Sequence, residues 1–266
     1  MSLILPSLLT IAGTDPSGGA GMQADIKTAA ALGVYSSSVI TSLVAQNTTG
    51  VFLTETVGEE MLAAQLDAVF RDIPPQAVKI GMAGGSSSIE IIAEKLRNYN
   101  QSPVIVDPVM VSTSGHSLLK SQDVKTLTDR LFPLAALVTP NIPEAEALLS
   151  TKGQRICTRS DMEEAAIKLF QMFRTSFLLK GGHQDNNADD VLCCNGIVTW
   201  FSGERIDNPN THGTGCTLSS AIACGLARGM ELEESIRLAK SYLNGALKAG
   251  LNLGKGRGPL WHGWKT

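Results

Sequence analysis

Residues 210–217 combine glycines, hydroxyl groups and one thiol, and a run of small apolar residues follows them directly. Glycine adopts positive φ freely and lets the backbone approach a ligand closely, while the apolar run predicts a buried helix. Unpaired N–H groups and the dipole at such a helix N-terminus bind anions, most often phosphate. Cys216 would lie in the first helical turn, where we expect the pKa of its thiol to be lowered. The segment therefore predicts a phosphate site with a reactive thiol beside it.

A second glycine-rich segment, residues 13–21, lies near the start of the chain and follows a predicted strand. The polar side chains of Thr14, Asp15 and Ser17 suit either substrate contacts or hydrogen bonds within the loop, and the sequence favours neither. Although the two glycine-rich segments are far apart in the chain, we expect them to form one bipartite site that closes on a small molecule.

Polar side chains follow three further predicted strands. Asp107 comes directly after one apolar strand, Asn141 and Glu144 follow the next, and Lys180 follows a third. Ligands bind at the carboxyl ends of parallel strands. Two carboxylates beside a phosphate suit Mg²⁺, usually through retained waters, and a lysine binds phosphate as a point charge. An aspartate before proline is often a turn and Asn-x-x-Glu is often a helix cap, but their joint occurrence favours a functional site.

Several classes of site are excluded by missing motifs. The chain has no Gly-x-x-x-x-Gly-Lys-Ser/Thr and no Gly-x-Gly-x-x-Gly after a first strand, which argues against a P-loop enzyme and a dinucleotide-binding oxidoreductase. Four scattered histidines without Cys-x-x-Cys exclude a zinc site. No histidine stands at a recognisable spacing from Cys216, so a Cys–His dyad is disfavoured.

Composition bounds the class of protein. The chain has 266 residues, of which 43% are hydrophobic and 18% charged, and its net charge is −3. No basic run is present, so we expect neither nucleic acid nor a membrane as a partner. The five cysteines are odd in number, and the Cys193-Cys194 pair lies in an apolar run that predicts a buried strand. These features predict a reduced, cytoplasmic protein.

Apolar runs bounded by turn residues alternate with helical patterns along the chain. The predicted strands are residues 7–12, 35–44, 77–80, 103–106, 136–139, 176–179 and 190–194. The predicted helices are residues 21–32, 58–70, 88–99, 161–173 and 231–251, besides the one after Cys216. Ser160 followed by Glu163 suggests the cap of the fourth helix.

This alternation predicts an α/β fold of βαβ units with a central, mostly parallel sheet. The strand at residues 104–106 is apolar without alternation, as expected of a strand covered on both faces. We expect one domain over residues 1–266, since no linker or repeat interrupts the pattern. A barrel of eight strand–helix units is the alternative architecture, which the irregular spacing disfavours.

Seven motifs, in order and spanning nearly the whole chain, resemble the ribokinase-like superfamily. Within it they are similar to the hydroxymethylpyrimidine/phosphomethylpyrimidine kinases of thiamin biosynthesis. The opening, Thr-Ile-Ala-Gly-Thr-Asp-Pro-Ser-Gly-Gly-Ala-Gly-Met-Gln-Ala-Asp, occupies residues 10–25. The other motifs are residues 44–48, 79–82, 139–145, 180–183, 210–217 and 254–260.

The resemblance implies a three-layer α/β/α fold, ATP and Mg²⁺ as cosubstrates, and a homodimer. It implies a pyrimidine pocket lined by Gly13, Asp25, Gln46, Met82 and Val109. A glutamine amide can pair with both a ring nitrogen and an amino group, and methionine offers an adaptable apolar wall.

The resemblance also implies a phosphoryl-transfer centre. Asp107 and Glu144 would hold Mg²⁺-bound water. ATP would be held by Asn141, Lys180, Thr211, Gly213 and Gly215. Transfer would be served by Lys180, Gly213, Thr214, Gly215 and Cys216, because phosphoryl transfer is mostly positioning and electrostatics.

One position departs from the wider superfamily, which has an aspartate as proton acceptor where this chain has Cys216. A thiolate could serve instead, or a loose transition state needs little base, or the residue only shapes the site. We expect ATP-dependent phosphorylation of 4-amino-5-hydroxymethyl-2-methylpyrimidine to its monophosphate and then to the diphosphate. The alternatives are a pyridoxal kinase of the same fold, with that activity alone or as a second one, and a non-catalytic vitamin-binding relative. A sugar or nucleoside kinase is disfavoured because it would keep the aspartate.

Overall fold

Strands and helices alternate along the computed structural model, which describes residues 4–100, 103–110, 119–150, 155–182 and 188–264. The strands are β1 Ser7–Ala12, β2 Tyr35–Ile40, β3 Ser42–Asn47, β4 Gly50–Thr56, β5 Ala77–Ile80, β6 Val104–Val106, β7 Leu137–Val138, β8 Phe177–Leu179, β9 Asp190–Cys194 and β10 Ile197–Phe201. The helices are α1 Gly21–Ala31, α2 Glu59–Asp72, α3 Ser86–Asn98, α4 Ser121–Arg130, α5 Ile142–Leu148, α6 Arg159–Phe173, α7 Thr214–Ala227 and α8 Leu232–Lys248.

One sheet of eight strands runs in the order β10-β9-β8-β7-β6-β5-β1-β2. The strands from β8 to β2 are parallel, and only β9 is antiparallel to both of its neighbours. The sheet has two different edge strands, so it is open and the barrel alternative is wrong. The expected mostly parallel α/β fold is confirmed.

Helices cover both faces of the sheet. Leu9 and Val106 face a core shared with α2 to α6, whereas Leu8 and Ile105 face a second core shared with α1, α7 and α8. Neighbouring residues of one strand thus enter opposite cores, which explains the apolar runs without alternation. The structure therefore has the three layers that the sequence predicted.

The predicted strand at residues 35–44 is wrong in one respect, because it is two strands in two sheets. The chain leaves the main sheet at Thr41, whose hydroxyl donates to Met82 O at 2.6 Å. It then forms β3, which pairs antiparallel with β4 in a separate two-stranded sheet. The sequence analysis missed β4, since most of its residues are exposed and it lacks an apolar pattern.

The hairpin from β9 to β10 was also missed, although the sequence carries its signal. Asn195 and Gly196 connect the two strands with φ of 51° and 78°. Asn-Gly is the preferred pair for a turn that needs positive φ at both positions. Cys193 is buried in β9, as the apolar run predicted, and all five cysteines are free thiols.

Two helices, α4 and α5, were not predicted, and the cap of α6 was assigned to the wrong residue. The helix begins at Arg159, and Thr158 Oγ1 accepts a hydrogen bond from Asp161 N at 3.1 Å. Asp161 in turn accepts from Thr158 N at 2.8 Å, completing a capping box two residues before the predicted one. No helix within the described part of the chain combines the length and apolarity that crossing a bilayer requires.

Candidate active site at the carboxyl edge of the sheet

The parallel strands β1, β5, β6, β7 and β8 end at one edge of the sheet, and α7 begins there. A Cβ built on Gly215 would lie 3.4 Å from Lys180 Nζ and 3.5 Å from Asp107 Oδ2. The structure thus brings together the carboxylate after β6, the lysine after β8 and the glycine-rich start of α7. Glycine keeps open the space between the helix end and the two charges, which a larger side chain would fill.

Asp107 and Lys180 form an ion pair at the centre of this edge. Lys180 Nζ lies 2.9 Å from Asp107 Oδ1, and the two side chains are 14% and 2% exposed. Thr139 and Ser219 donate further hydrogen bonds to the carboxylate, at 3.2 and 3.3 Å. Burial alone would raise the pKa of Asp107, but Lys180 and Lys79 hold it below its usual value. Asp107 is therefore charged at neutral pH.

Glu144 lies beside this pair as the third residue of a capped helix. Asn141 Oδ1 accepts from Glu144 N at 2.9 Å, and Glu144 Oε2 accepts from Asn141 N at 2.8 Å. Burial raises the pKa of Glu144 to about 7; Lys180 opposes this rise and Asp107 adds to it. Glu144 therefore belongs both to the cap of α5 and to the charged cluster.

The donor set suits Mg²⁺ rather than a tightly coordinated metal. Within the described residues, no group of three or more histidine, cysteine or acidic side chains forms a metal cluster. Mg²⁺ usually keeps several waters and is held by one or two carboxylates together with substrate phosphates. Asp107 and Glu144 provide two buried carboxylates, and an added cation would favour the charged form of Glu144.

The backbone after β8 fixes Lys180 against its neighbours. Lys180 N donates to Pro140 O at 2.9 Å, so Asn141 and Lys180 lie side by side. Gly181 N donates to Asp190 Oδ1 at 2.9 Å, and a Cβ on Gly181 would lie 1.9 Å from Asp189 O. His183, the last residue of this motif, lies outside the described residues.

The two glycine-rich segments meet in space, as their composition suggested. Gly213 is the N-cap of α7 with a φ of 85°, and its Cβ would lie 1.8 Å from Gly19 O. Thr211 and Thr214 flank Gly213, and Thr214 N donates to Thr211 O at 3.3 Å. The free amides at the start of α7 therefore lie directly above the loop at residues 13–21.

The expectation of a lowered thiol pKa at Cys216 is wrong. Burial raises the pKa of Cys216 to about 11; Lys79 opposes this rise, whereas Asp25 and Asp107 add to it. The helix N-terminus acts in the other direction, but burial and two nearby carboxylates outweigh it. The thiol is therefore protonated at neutral pH.

Four of the five residues expected at the pyrimidine pocket lie on or next to the elements that end at this edge of the sheet. A Cβ on Gly13 would lie 3.0 Å from Met82 Sδ and 3.7 Å from Val44 Cγ2. Gln46 Nε2 donates a long hydrogen bond of 3.5 Å to Thr14 O, which a stronger acceptor can replace. Val109 is half-buried two residues after Asp107.

The fifth residue, Asp25, is fully buried in an ion pair. Lys79 Nζ contacts both Asp25 oxygens at 2.8 and 3.0 Å, and both side chains are fully buried. Thr10 and Ser220 donate to the same carboxylate at 2.5 and 2.7 Å. Burial alone would lower the pKa of Lys79, but Asp25 raises it well above its usual value. Asp25 thus ties α1 to β1, β5 and α7.

The structure resolves the two interpretations of the first glycine-rich loop. Asp15 Oδ1 accepts from Ser17 N and Ser17 Oγ at 2.9 and 2.7 Å, so these two residues hold the loop together internally. Thr14 Oγ1 accepts from Val44 N at 2.9 Å and ties the loop to β3.

The sequence analysis missed the part played by residues 254–260, which cross over the site. Thr48 Oγ1 accepts from Gly256 N at 3.2 Å, beside the turn between β3 and β4. Asn210 Oδ1 accepts from Gly258 N at 3.0 Å, and Gly258 O accepts from His212 N at 3.2 Å. The tail segment therefore joins the β3–β4 hairpin to the start of α7.

An open cleft of about 630 Å³ continues the same edge beyond β9 and β10. Lys240 on its wall pairs with Asp190, whose other oxygen holds the amide of Gly181. The cleft is lined by Trp200, Phe201, Ser202, Arg237, Lys240, Ser241, Asn244, Gly245 and Lys248. Asp190 therefore connects the cleft to Gly181, the residue after Lys180.

Comparison with known proteins identifies several similar chains. A family model described as phosphomethylpyrimidine kinase matches residues 15–261. The hydroxymethylpyrimidine/phosphomethylpyrimidine kinase of Rhizobium meliloti strain 1021 is 46% identical over 257 residues, which are 96% of each protein. The thiamine biosynthesis bifunctional protein ThiED of Geobacter sulfurreducens is 48% identical over 257 residues; the match covers 96% of this chain and 52% of that longer protein.

A solved structure extends the likeness to the fold. The ADP complex of Bacillus subtilis pyridoxal kinase is 33% identical, with a TM-score of 0.90. The alignment covers 98% of this chain and 99% of that one.

Proposed function

The chain belongs to the phosphomethylpyrimidine kinase family, and we propose that it phosphorylates 4-amino-5-hydroxymethyl-2-methylpyrimidine with ATP, first to the monophosphate and then to the diphosphate. In the first step the hydroxymethyl oxygen bonds to the γ-phosphorus of ATP, its proton passes to a phosphate oxygen or to solvent, and ADP leaves. In the second step an oxygen of the new phosphate bonds to the γ-phosphorus of a second ATP, and a second ADP leaves. The diphosphate serves thiamin biosynthesis. The observation that carries the proposal is the buried Asp107–Lys180 pair facing the glycine-rich start of α7.

The residues at the edge of the sheet supply positioning and charge. Lys180 contacts the ATP phosphates, and the amides at the start of α7, from Gly213 to Cys216, neutralise charge on the transferred group. Asn141 and Thr211 lie beside these two elements and orient the nucleotide. Asp107 and Glu144 would hold Mg²⁺, which would neutralise phosphate charge there. These roles require no covalent step on the protein.

The space between β1, β3 and β5 receives the pyrimidine. Gln46 pairs with the ring nitrogen and the amino group, and Met82 and Val109 cover the ring faces. Gly13 leaves room for the ring because a side chain there would meet Met82. Asp25 supports this pocket from below through α1. The hydroxymethyl group then points to Asp107 and α7.

Cys216 shapes the anion site and is not a thiolate base. Its thiol pKa of about 11 keeps it protonated at neutral pH. In a loose, metaphosphate-like transition state the acceptor oxygen has formed little of its bond to phosphorus. The acceptor hydroxyl therefore needs little help from a base. A thiol also leaves more room than a charged carboxylate for the phosphate acceptor of the second step.

The cleft beyond β10 accommodates the adenosine part of ATP. Its wall carries the amide of Asn244 and the hydroxyls of Ser202 and Ser241, which suit a purine base and a ribose, whereas Phe201 is only 5% exposed. The cleft lies beyond Lys180 on the same edge, so a nucleotide in it extends its phosphates towards Gly215.

The outer face of the two-stranded sheet supports a homodimer. Leu43, Phe52 and Leu53 are 52%, 68% and 67% exposed on this small sheet. Apolar patches of this kind mark interaction surfaces.

The single eight-stranded sheet supports the proposal of one kinase domain over residues 1–266.

The decisive test is turnover of the purified protein with ATP and Mg²⁺, with products resolved by mass. We expect the free pyrimidine to yield the monophosphate and then the diphosphate. Lys180→Ala should abolish turnover, whereas Lys168→Ala, which removes an exposed lysine on α6, should not. Wild-type protein that consumes no ATP with either pyrimidine would overturn the proposal.

Pyridoxal phosphorylation is the second candidate, favoured by the 33% identity to a pyridoxal kinase. The same assay with pyridoxal separates the two activities. If only pyridoxal is turned over, the proposed roles in phosphate transfer stand, and the substrate is pyridoxal instead of the pyrimidine. Turnover of both would assign two activities to one pocket.

A further inference from the structure

Three segments that are distant in the chain meet at His212. Its main-chain amide donates to Gly258 O, and His212 pairs with Pro259 as an isolated parallel bridge. Its side chain contacts the first glycine-rich loop, where Nε2 lies 2.8 Å from Asp15 Oδ2. His212 immediately precedes Gly213, the N-cap of α7. The residue therefore stands between the amides proposed to hold phosphate and the loop below the pyrimidine pocket.

Asp15 provides a fixed acceptor for this histidine. Its carboxylate is fully buried and accepts four hydrogen bonds from its own loop: two from Ser17 and one each from Gly19 N and Ala20 N. Burial alone would raise the pKa of Asp15, but the hydrogen bonds from His212 and Ser17 hold it below its usual value. A charged carboxylate only accepts hydrogen bonds, so the Nε2 of His212 carries a hydrogen.

The contact is the tie between the two loops and not part of the fold of either one. Without His212, Asp15 keeps its four bonds within residues 15–20, so this loop retains its shape. The segment before α7 would instead lose its side-chain bond to this loop beside Gly19, where the backbones already touch, while the hydrogen bond from Gly21 N to Cys216 would remain in the first turn of the helix. Misplacement of a phosphate-binding group by about 1 Å lowers turnover by about 100-fold.

We infer that His212 is a positioning residue for phosphoryl transfer. Its bond to Asp15 fixes the phosphate-binding amides of α7 relative to the loop at residues 13–21. The inference rests on the proposed function. It assigns His212 to neither substrate, so its loss should lower kcat and leave pyrimidine binding nearly unchanged.

The test compares His212→Leu with His212→Gln in the full-length protein. Glutamine can place an amide N–H near the position of Nε2, whereas leucine keeps the volume and removes the donor. We expect His212→Leu to lower kcat by about 100-fold while the Kd for the free pyrimidine, measured by calorimetry without ATP, changes less than about threefold. His212→Gln should recover most of kcat. Lys27→Met is the matched control, because it removes a different bond to the same loop, Lys27 Nζ to Gly18 O.

Each outcome decides the inference. A His212→Leu protein with wild-type kcat would overturn it, as would a His212→Gln protein that is as slow as His212→Leu at equal thermal stability. A pyrimidine Kd that weakens in parallel with kcat would show that His212 supports the pocket itself, which also overturns it. If His212→Leu does not fold, the inference is tested with His212→Gln only, and a low kcat of His212→Gln overturns it. Wild-type protein without pyrimidine turnover would instead refute the proposed function.

Discussion

At the scale of single residues, each lysine of the site has its charge fixed by a carboxylate. Lys180 faces Asp107 at the surface of the site, and Lys79 faces Asp25 one layer below. The first pair is accessible to phosphate. A bound phosphate can replace Asp107 as the partner of Lys180, or Lys180 can contact both anions. The second is closed, and its hydrogen bonds from Thr10 and Ser220 leave no carboxylate oxygen free.

Removing one partner of the closed pair should destabilise the protein strongly. Lys79→Met leaves the charge of Asp25 buried without its cation, which costs about 3–5 kcal/mol of unfolding free energy. Chemical denaturation measures the loss. The matched control is Lys168→Met, which breaks an exposed pair with Glu164. Equal stability of Lys79→Met and wild type would contradict the assignment of a charged pair.

Gln46 should contribute affinity rather than stability. Gln46→Leu leaves the polar edge of the aminopyrimidine unpaired, which should weaken its binding by about 1–3 kcal/mol. Calorimetric titration of the free pyrimidine measures the change. Gln122→Leu, an exposed position on α4, is the control. Unchanged affinity would place Gln46 outside the pocket.

His262 should make folding sensitive to acid. Burial lowers the pKa of His262 to about 4 from an ordinary value of 6.5, and Lys27 adds to the shift. Between these values the unfolded chain binds a proton that the folded protein does not, so the unfolding free energy falls as pH drops from 6.5 to 4. The slope from this group approaches about 1.4 kcal/mol per pH unit.

The variant His262→Asn isolates this effect. Asparagine can keep an acceptor for the Tyr242 hydroxyl, which lies 3.0 Å from Nδ1. Denaturation at several pH values should show a shallower slope than wild type over this range. Parallel slopes would mean that His262 is protonated in the folded protein.

At the scale of elements, contacts between backbones decide where glycine is required. Gly213 and Gly229 both have positive φ, at 85° and 76°. A Cβ on Gly213 would collide with Gly19 O, whereas a Cβ on Gly229 meets nothing within 4 Å. The two positions thus separate backbone strain from close approach.

Alanine at these two glycines should give different enzymes. Gly229→Ala should lose only about 1 kcal/mol of stability and keep its turnover. Gly213→Ala should lose turnover as well, because α7 must move away from the loop at residues 13–21. Steady-state kinetics and thermal unfolding of both variants test this. Equal kinetics in the two variants would contradict the close approach.

Element positions were predictable where the signal was local. The strand ends before Asp107 and Lys180 follow from apolar runs, and the meeting of the glycine loops follows from their composition. The bend at Thr41 was not predictable, because it depends on a bond to Met82, which comes much later in the chain. The raised thiol pKa of Cys216 depends on burial and on the carboxylates of Asp25 in α1 and Asp107 after β6, which no local pattern reveals.

At the scale of the whole molecule, the small sheet of β3 and β4 has one face towards the proposed pyrimidine pocket and one face exposed on the outside. Val44 points into the protein beside Gly13, while Leu43 points outward. Association through the outer face would therefore hold one wall of the pyrimidine pocket in place. This couples the proposed dimer to substrate binding.

A charge on the outer face should separate the subunits. We expect wild type to be a dimer by light scattering, and Leu53→Glu to be a monomer with a raised KM for the pyrimidine. Ile197→Glu places the same charge on an equally exposed residue of β10 and should stay dimeric. A monomeric wild type would refute the dimer.

The segment at residues 254–260 has a consequence for how the enzyme is made. Synthesis on the ribosome proceeds from the N-terminus, and domains fold as they emerge. Every strand of the main sheet precedes this segment, yet the segment alone joins Thr48 to the loop before α7. A nascent chain thus gains its hydrophobic layers before its reaction centre is closed. Newly made protein should be unable to consume ATP until residues 254–260 have left the ribosome and bound between the β3–β4 turn and the start of α7.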